Sequence, residues 1–99
     1  MNYIFDGSFQ GYLCCIFEAF ERKEFDTIPT TQEWMEINMF SDKRQIISDA
    51  KKAARVLSGM RRIIGHKNSL IFYHNFLSDS PAEWTNGFRL IFELNQQSV

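Results

Sequence analysis

"SFQGYLCCIFEAFERK", Ser8 to Lys23, is the stretch on which the fold turns. At about 100° per residue, Phe9, Tyr12, Leu13, Ile16, Phe17 and Phe20 fall on one face. Gln10, Glu18, Glu21 and Arg22 fall opposite. The pattern predicts an amphipathic helix whose apolar face forms the centre of a core, each side chain contributing ~1.5–3 kcal/mol on burial. Ser8 or Asp6 is the expected N-cap, because a short side-chain oxygen can accept from a free backbone N–H. Gly11 lies in the first turns on the polar side, where glycine costs about 1 kcal/mol relative to Ala. Its place there leaves room for another element to approach closely. Cys14 and Cys15 are adjacent and cannot readily bridge one another. They read as two reduced thiols on a helix.

Before this helix, "NYIFDG" reads as a short strand ended by an Asp-Gly turn. After it, "EFDTIPTTQ" reads as a loop marked by Pro29. "EWMEINMF" places Met35, Ile37 and Met39 at period two, which predicts a half-buried strand. "SDKR" would turn the chain and "QIIS" would return it, giving a small central hairpin. "SDAKKAARVLSGMRRII" is the second predicted helix, capped by Ser48 or Asp49 and ended by Gly65 as a left-handed cap. "NSLIFYHNFLSD" is apolar on two sides, with Leu70, Tyr73 and Leu77 in one stripe and Phe72 and Phe76 in another. A helix of that kind is expected to be central. "SPAEWTNGFRLIFELNQQ" carries a capping box: Ser80 at the N-cap, Pro81 at N1 and Glu83 at N3. Trp84, Phe88, Ile91 and Phe92 share its buried stripe. The expected class is α+β and mainly helical. About four helices pack with a short N-terminal strand and a small central hairpin, as a single domain over residues 1–99.

Composition excludes several classes. Hydrophobic residues make up 44% of the chain and Phe occurs ten times, too apolar for disorder. No apolar run nears the ~18 residues of a membrane span. "MNYIFDGSF" lacks the basic and apolar regions of a signal peptide, so the expected compartment is the cytoplasm and no membrane partner is expected. His66 and His74 are separated by a predicted helix break, and HExxH, CxxC and GxSxG patterns are absent from the sequence. His74 reads as a core histidine beside Leu70 and Leu77. No metal site, cofactor or catalytic constellation is expected, and the chain is read as non-catalytic.

One charge pattern stands out. Residues 43–67 hold eight of the eleven Lys and Arg and one acid, Asp49, while the remaining residues hold three basic and eleven acidic side chains. Within "KKAARVLSGMRRIIGHK", Ala53, Val56, Leu57, Met60, Ile63 and Ile64 fill one arc of the helical wheel. Lys51, Arg55 and Arg62 stack on the opposite arc with Lys52 beside them, and Lys67 closes the run. Exposed helices ordinarily mix signs, because like charges one turn apart repel. The pattern points to an anionic partner, or else to a solvated face balanced by the acidic remainder of the same fold. Placement near a helix C-terminus suits Arg61 and Arg62 without any partner.

Two blocks carry a resemblance to a known family. "YIFDGSFQGYLCCIFEAFERKEF" combines a strand, Asp-Gly-Ser-Phe, a nearby Gly and an apolar helix with paired aromatics. "DAKKAARVLSGM" carries Lys52, Ala53, Arg55, Val56 and Gly59 in a Lys-Ala-x-Arg-Val-x-x-Gly pattern. In both, the chain resembles a bacterial family of DNA metabolism proteins built on a domain of unknown function. The resemblance spans this chain and the first half of a typical member. That family is found beside a radical S-adenosylmethionine (radical SAM) protein and fused to uracil-DNA glycosylase-like domains. The resemblance therefore implies an accessory role in DNA repair or modification, and it supplies no catalytic residue.

The expected function is thus a non-catalytic module that binds nucleic acid through Lys51, Lys52, Arg55, Arg62 and Lys67. The alternative is a subunit that docks on a radical SAM or uracil-DNA glycosylase-like enzyme without touching DNA. A homodimer is expected through an apolar face along Phe88 and Phe92.

Overall fold

The computed structural model describes residues 1–35, 42–77 and 80–97. The chain runs β1 (Asn2–Ile4), α1 (Phe9–Arg22), β2 (Ile28–Thr30), a single-turn α2 (Gln32–Met35), β3 (Lys43–Gln45), α3 (Ala50–Phe76) and α4 (Pro81–Gln97). It is the mainly helical α+β arrangement the sequence predicts. α2 is an addition, and the second and third predicted helices are one element, α3, broken at Gly65. That residue has φ 84 and ψ 163, outside the helical region and open at low cost only to glycine.

The strands are parallel, in the order β2-β1-β3. Parallel neighbours cannot be joined by a tight turn, so α1 serves as the crossover between β1 and β2. The central hairpin is therefore corrected. Trp34 lies in α2, residues 36–41 lie outside the described residues, and Lys43–Gln45 forms a strand where a turn was expected. β3 is a polar edge held by its backbone: Asn2 N donates to the Asp42 carbonyl at 2.9 Å and Ile46 N to the Ile4 carbonyl at 2.8 Å. Charged residues suit an open sheet edge, but they leave no apolar alternation to read. The segment around Pro29, expected as loop, is the other edge. Ile28 N donates to Met1 O at 3.0 Å and Phe5 N to Thr30 O at 2.9 Å. That pairing uses the residues on either side and turns the proline nitrogen outward, where its missing N–H costs nothing.

The caps follow the sequence. Ser8 Oγ accepts from Gly11 N at 3.0 Å, and Asp6 Oδ1 accepts from both Ser8 N at 3.0 Å and Ser8 Oγ at 2.6 Å. A Cβ on Gly11 would stand 2.4 Å from Asp6 Oδ1, so the close approach expected there is made by the chain's own turn. Asp49 Oδ1 accepts from Lys51 N and Lys52 N at 2.9 and 3.1 Å. Ser80 Oγ accepts from Glu83 N at 3.3 Å.

The core is aromatic and centred on Tyr12, Trp84 and Phe88, with Tyr3, Phe5, Phe72 and Phe76 around them. Tyr12 Oη donates to the Trp84 carbonyl at 2.6 Å and Trp84 Nε1 to the Phe76 carbonyl at 3.1 Å, so both polar tips are satisfied inside. α1 is buried more fully than its amphipathic pattern implies, since Gly11, Cys14, Cys15 and Ala19 are buried as well. Both cysteines are free. The Cys14 thiol donates to the Asp49 carbonyl at 3.3 Å and accepts from Asp49 N at 3.2 Å, which ties α1 to the start of α3. Burial pushes the Cys15 thiol well above its ordinary range.

Phe17, expected at the core's centre, is only half-buried and lies outside it. Phe88 and Phe92, expected as a docking face, are 0% and 6% exposed and belong to the core. His74, expected inside, is exposed beside Tyr73. In residues 66–77 the Phe72 and Phe76 stripe is buried, while Leu70, Ile71, Tyr73 and Leu77 face solvent.

Candidate nucleic-acid interface

Residues 50–64 of α3 divide cleanly. Ala53 and Met60 are buried, Val56, Leu57 and Ile64 pack against the core, and Lys51, Lys52, Arg55, Arg61 and Arg62 are exposed. Lys51, Arg55 and Arg62 fall within about 40° on the wheel, with Lys52 next to them. Lys67 is exposed too, but it follows the break at Gly65, so the wheel of the first segment does not carry through to it.

The cations differ in their partners. Arg22 pairs with Glu18, which raises the guanidinium's already high pKa. Arg44 Nη2 stands 3.5 Å from Glu24, whose carboxylate also accepts from Tyr3 Oη at 2.6 Å. The Tyr3 hydrogen bond, more than the nearby arginines, holds the Glu24 carboxyl below its usual range, and burial pushes the Tyr3 phenol up. Among the described residues, none of the cations on α3 forms an ion pair.

Two of them share an aromatic ring. Lys52 Nζ lies 5.4 Å and Arg55 Cζ 5.5 Å from the centroid of Phe17. The ring borders an open hollow of ≈ 360 Å³ lined by Phe17, Phe20, Glu21, Arg55 and Val56. Arg55 and Arg62 also rim a neighbouring hollow of ≈ 180 Å³, with Gly59 between them and Val56, Met60 and Ile63 at its base. Phe17 was missed as a functional candidate by sequence reasoning. The signal was its place at the edge of the α1 apolar arc, next to Glu21 and Glu18, where a side chain reaches the margin between helices.

The rest of the surface is chemically quieter. Among the described residues, no three His, Cys, Asp or Glu come together as a metal would require. No helix among them is long and apolar enough to cross a membrane. Cations without carboxylate partners, set around a half-exposed ring, can hold an anion and pack a flat apolar group beside it. No family model, curated protein or solved structure matches the chain.

Proposed function

We propose that the chain is a non-catalytic accessory module of DNA metabolism, acting in repair or modification in the cytoplasm. Nucleic-acid phosphates would be held by Lys51, Lys52, Arg55 and Arg62, with Lys67 beyond them. The carrying observation is the concentration of free charge: Lys51, Lys52, Arg55, Arg61 and Arg62 are exposed on one segment of α3 and form no ion pair among the described residues, whereas the unpaired cations outside α3, Lys23, Lys43 and Arg89, lie on separate elements. A basic arc kept against its own repulsion and left unneutralised is the footprint expected for a phosphate backbone. The motif-level resemblance to DNA metabolism proteins agrees with that use.

The test is binding measured against salt. Neutralising four phosphates gives a log–log slope of about −3.6 on duplex DNA, because each contact releases counterions. Arg55→Glu with Arg62→Glu should abolish binding and leave the melting temperature within a degree or two of wild type, since both residues are exposed and neither belongs to the core. Equal weak binding by wild type and double variant would overturn the reading.

A second reading has its own observation. Leu70, Ile71 and Leu77 are 47%, 50% and 54% exposed over the last turns of α3 and its C-cap. Such a concentration favours a docking subunit for a radical SAM or uracil-DNA glycosylase-like partner, or a homodimer, through this stretch instead of Phe88 and Phe92. Association of that kind would be nearly insensitive to salt.

A further inference from the structure

We propose that the nucleic acid held on this face is single-stranded, with Phe17 as the platform for one unpaired base. The inference rests on the phosphate-holding reading above and deepens it. Phe17 is an aromatic ring outside the core cluster and half-open to solvent, in a chain whose core already has aromatic side chains to spare. Its faces are approached by the two cations best placed to leave for a phosphate, Lys52 and Arg55. In the free protein they cover the ring. When they turn to phosphates, the ring is uncovered, and an apolar surface with Phe20 and Val56 beside it is presented to whatever follows the phosphates in.

A paired base stays inside its stack and offers no face to a side chain, whereas an unpaired base can lie on an aromatic ring. Base stacking on aromatics is tolerant of sequence, because every base has a π face. The charge around the hollow sets a direction. Glu21 stands on the α1 side and repels phosphate, while Arg55 stands on the α3 side and attracts it. The backbone would therefore follow α3 while its base leans toward α1. Arg55 and Arg62 are two turns apart, about 10 Å along the axis. Gly59, between them, carries no side chain to obstruct the strand.

The experiment uses the full chain with three fluorescent probes: a 20-mer of deoxythymidine, a 20-mer of uridine and a 20-base-pair DNA duplex. Wild type is expected to bind one or both single strands more tightly than the duplex. Phe17→Leu keeps apolar bulk and removes the ring. It should weaken single-strand binding roughly tenfold, leave the salt slope unchanged and leave duplex binding as it was. Phe17→Tyr should restore the lost affinity. Equal affinity for single strands and duplex would overturn the platform while leaving the phosphate reading in place. So would undiminished single-strand binding by a folded Phe17→Leu. An absence of salt-dependent binding to all three probes would overturn both.

Discussion

Residues 50–64 of α3 turn Ala53 and Met60 inward and Lys51, Lys52, Arg55 and Arg62 outward. Residues 66–76 turn Phe72 and Phe76 inward, but their outward side carries Leu70, Ile71 and Tyr73. The first segment thus has two chemistries on two arcs, and its inner arc settles how it packs. The second carries large apolar side chains on both its buried and its exposed sides, so hydrophobicity alone does not say which stripe goes inside. What decides is the ring network. Phe72 stacks on Tyr12 with centroids 5.8 Å apart, and Phe76 lies 4.9 Å from Tyr12 and 5.9 Å from Trp84. The lesson is a division of labour along one helix: the second segment helps build the core, and the first is free to carry charge.

The largest effect expected from this contrast is therefore in the second segment. Phe72→Ala should cost ~3–5 kcal/mol, out of the 5–15 kcal/mol or so that such a domain has in all. The outward Arg55→Glu and Arg62→Glu should each stay within about 0.5 kcal/mol of wild type. Urea unfolding of the three variants measures both. If Phe72→Ala and Arg55→Glu shift the midpoint equally, the two segments do not divide the work as described.

The junction between the segments gives a smaller effect with a different cause. A Cβ at Gly65 would meet nothing within 4 Å, so no packing argument protects the glycine. Its φ of 84 with ψ of 163 is nonetheless a conformation that side chains with a Cβ rarely adopt. Gly65→Ala should cost about 1–3 kcal/mol through backbone strain alone. An unchanged or raised stability would mean that the break is not fixed and that α3 can run straight. Nucleic-acid binding by Gly65→Ala adds a second reading, because Lys67 reaches the basic arc only by way of that junction.

How much of this was legible in the sequence follows the same division. The first segment of α3, the Ser80 cap, and the Trp84, Phe88, Ile91 and Phe92 stripe of α4 could all be read, because each couples a periodic pattern to a local hydrogen-bonding residue, and the caps at Ser8 and Asp49 were each read as one of two neighbouring candidates. The sheet could not. β2 hides a strand around Pro29 that only an edge position permits, and β3 is Lys-Arg-Gln, stabilised by backbone bonds that leave no trace in side-chain type. Phe17 was misplaced for a related reason: a residue at the margin of an apolar arc is assigned to the core by the wheel and to the seam by the neighbouring helix. The basic residues were legible as a group. Their want of ion-pair partners among the described residues was not, because pairing depends on where the acidic remainder folds.

The smallest expected effect concerns the acid that opens the basic segment. Asp49 is the one carboxylate among residues 43–67, and it is the N-cap of α3. The backbone N–H of Lys52, and then that of Lys51, bond to its charged form and hold its pKa below the usual 3.8, with the two lysine charges adding in the same sense. A carboxyl lowered in the folded state binds protons less readily there than in the unfolded chain. Its contribution is therefore complete above the unfolded value and is lost as pH falls from near 3.8 through the lower folded value. Asp49→Asn keeps an acceptor for the same two N–H groups but no charge to titrate. Wild type should be the more stable at neutral pH, and its advantage should shrink as the acid range is entered. Denaturant unfolding of both proteins between neutrality and pH 3 reads the difference directly. Parallel stability curves over that range would show that the cap acts through geometry alone.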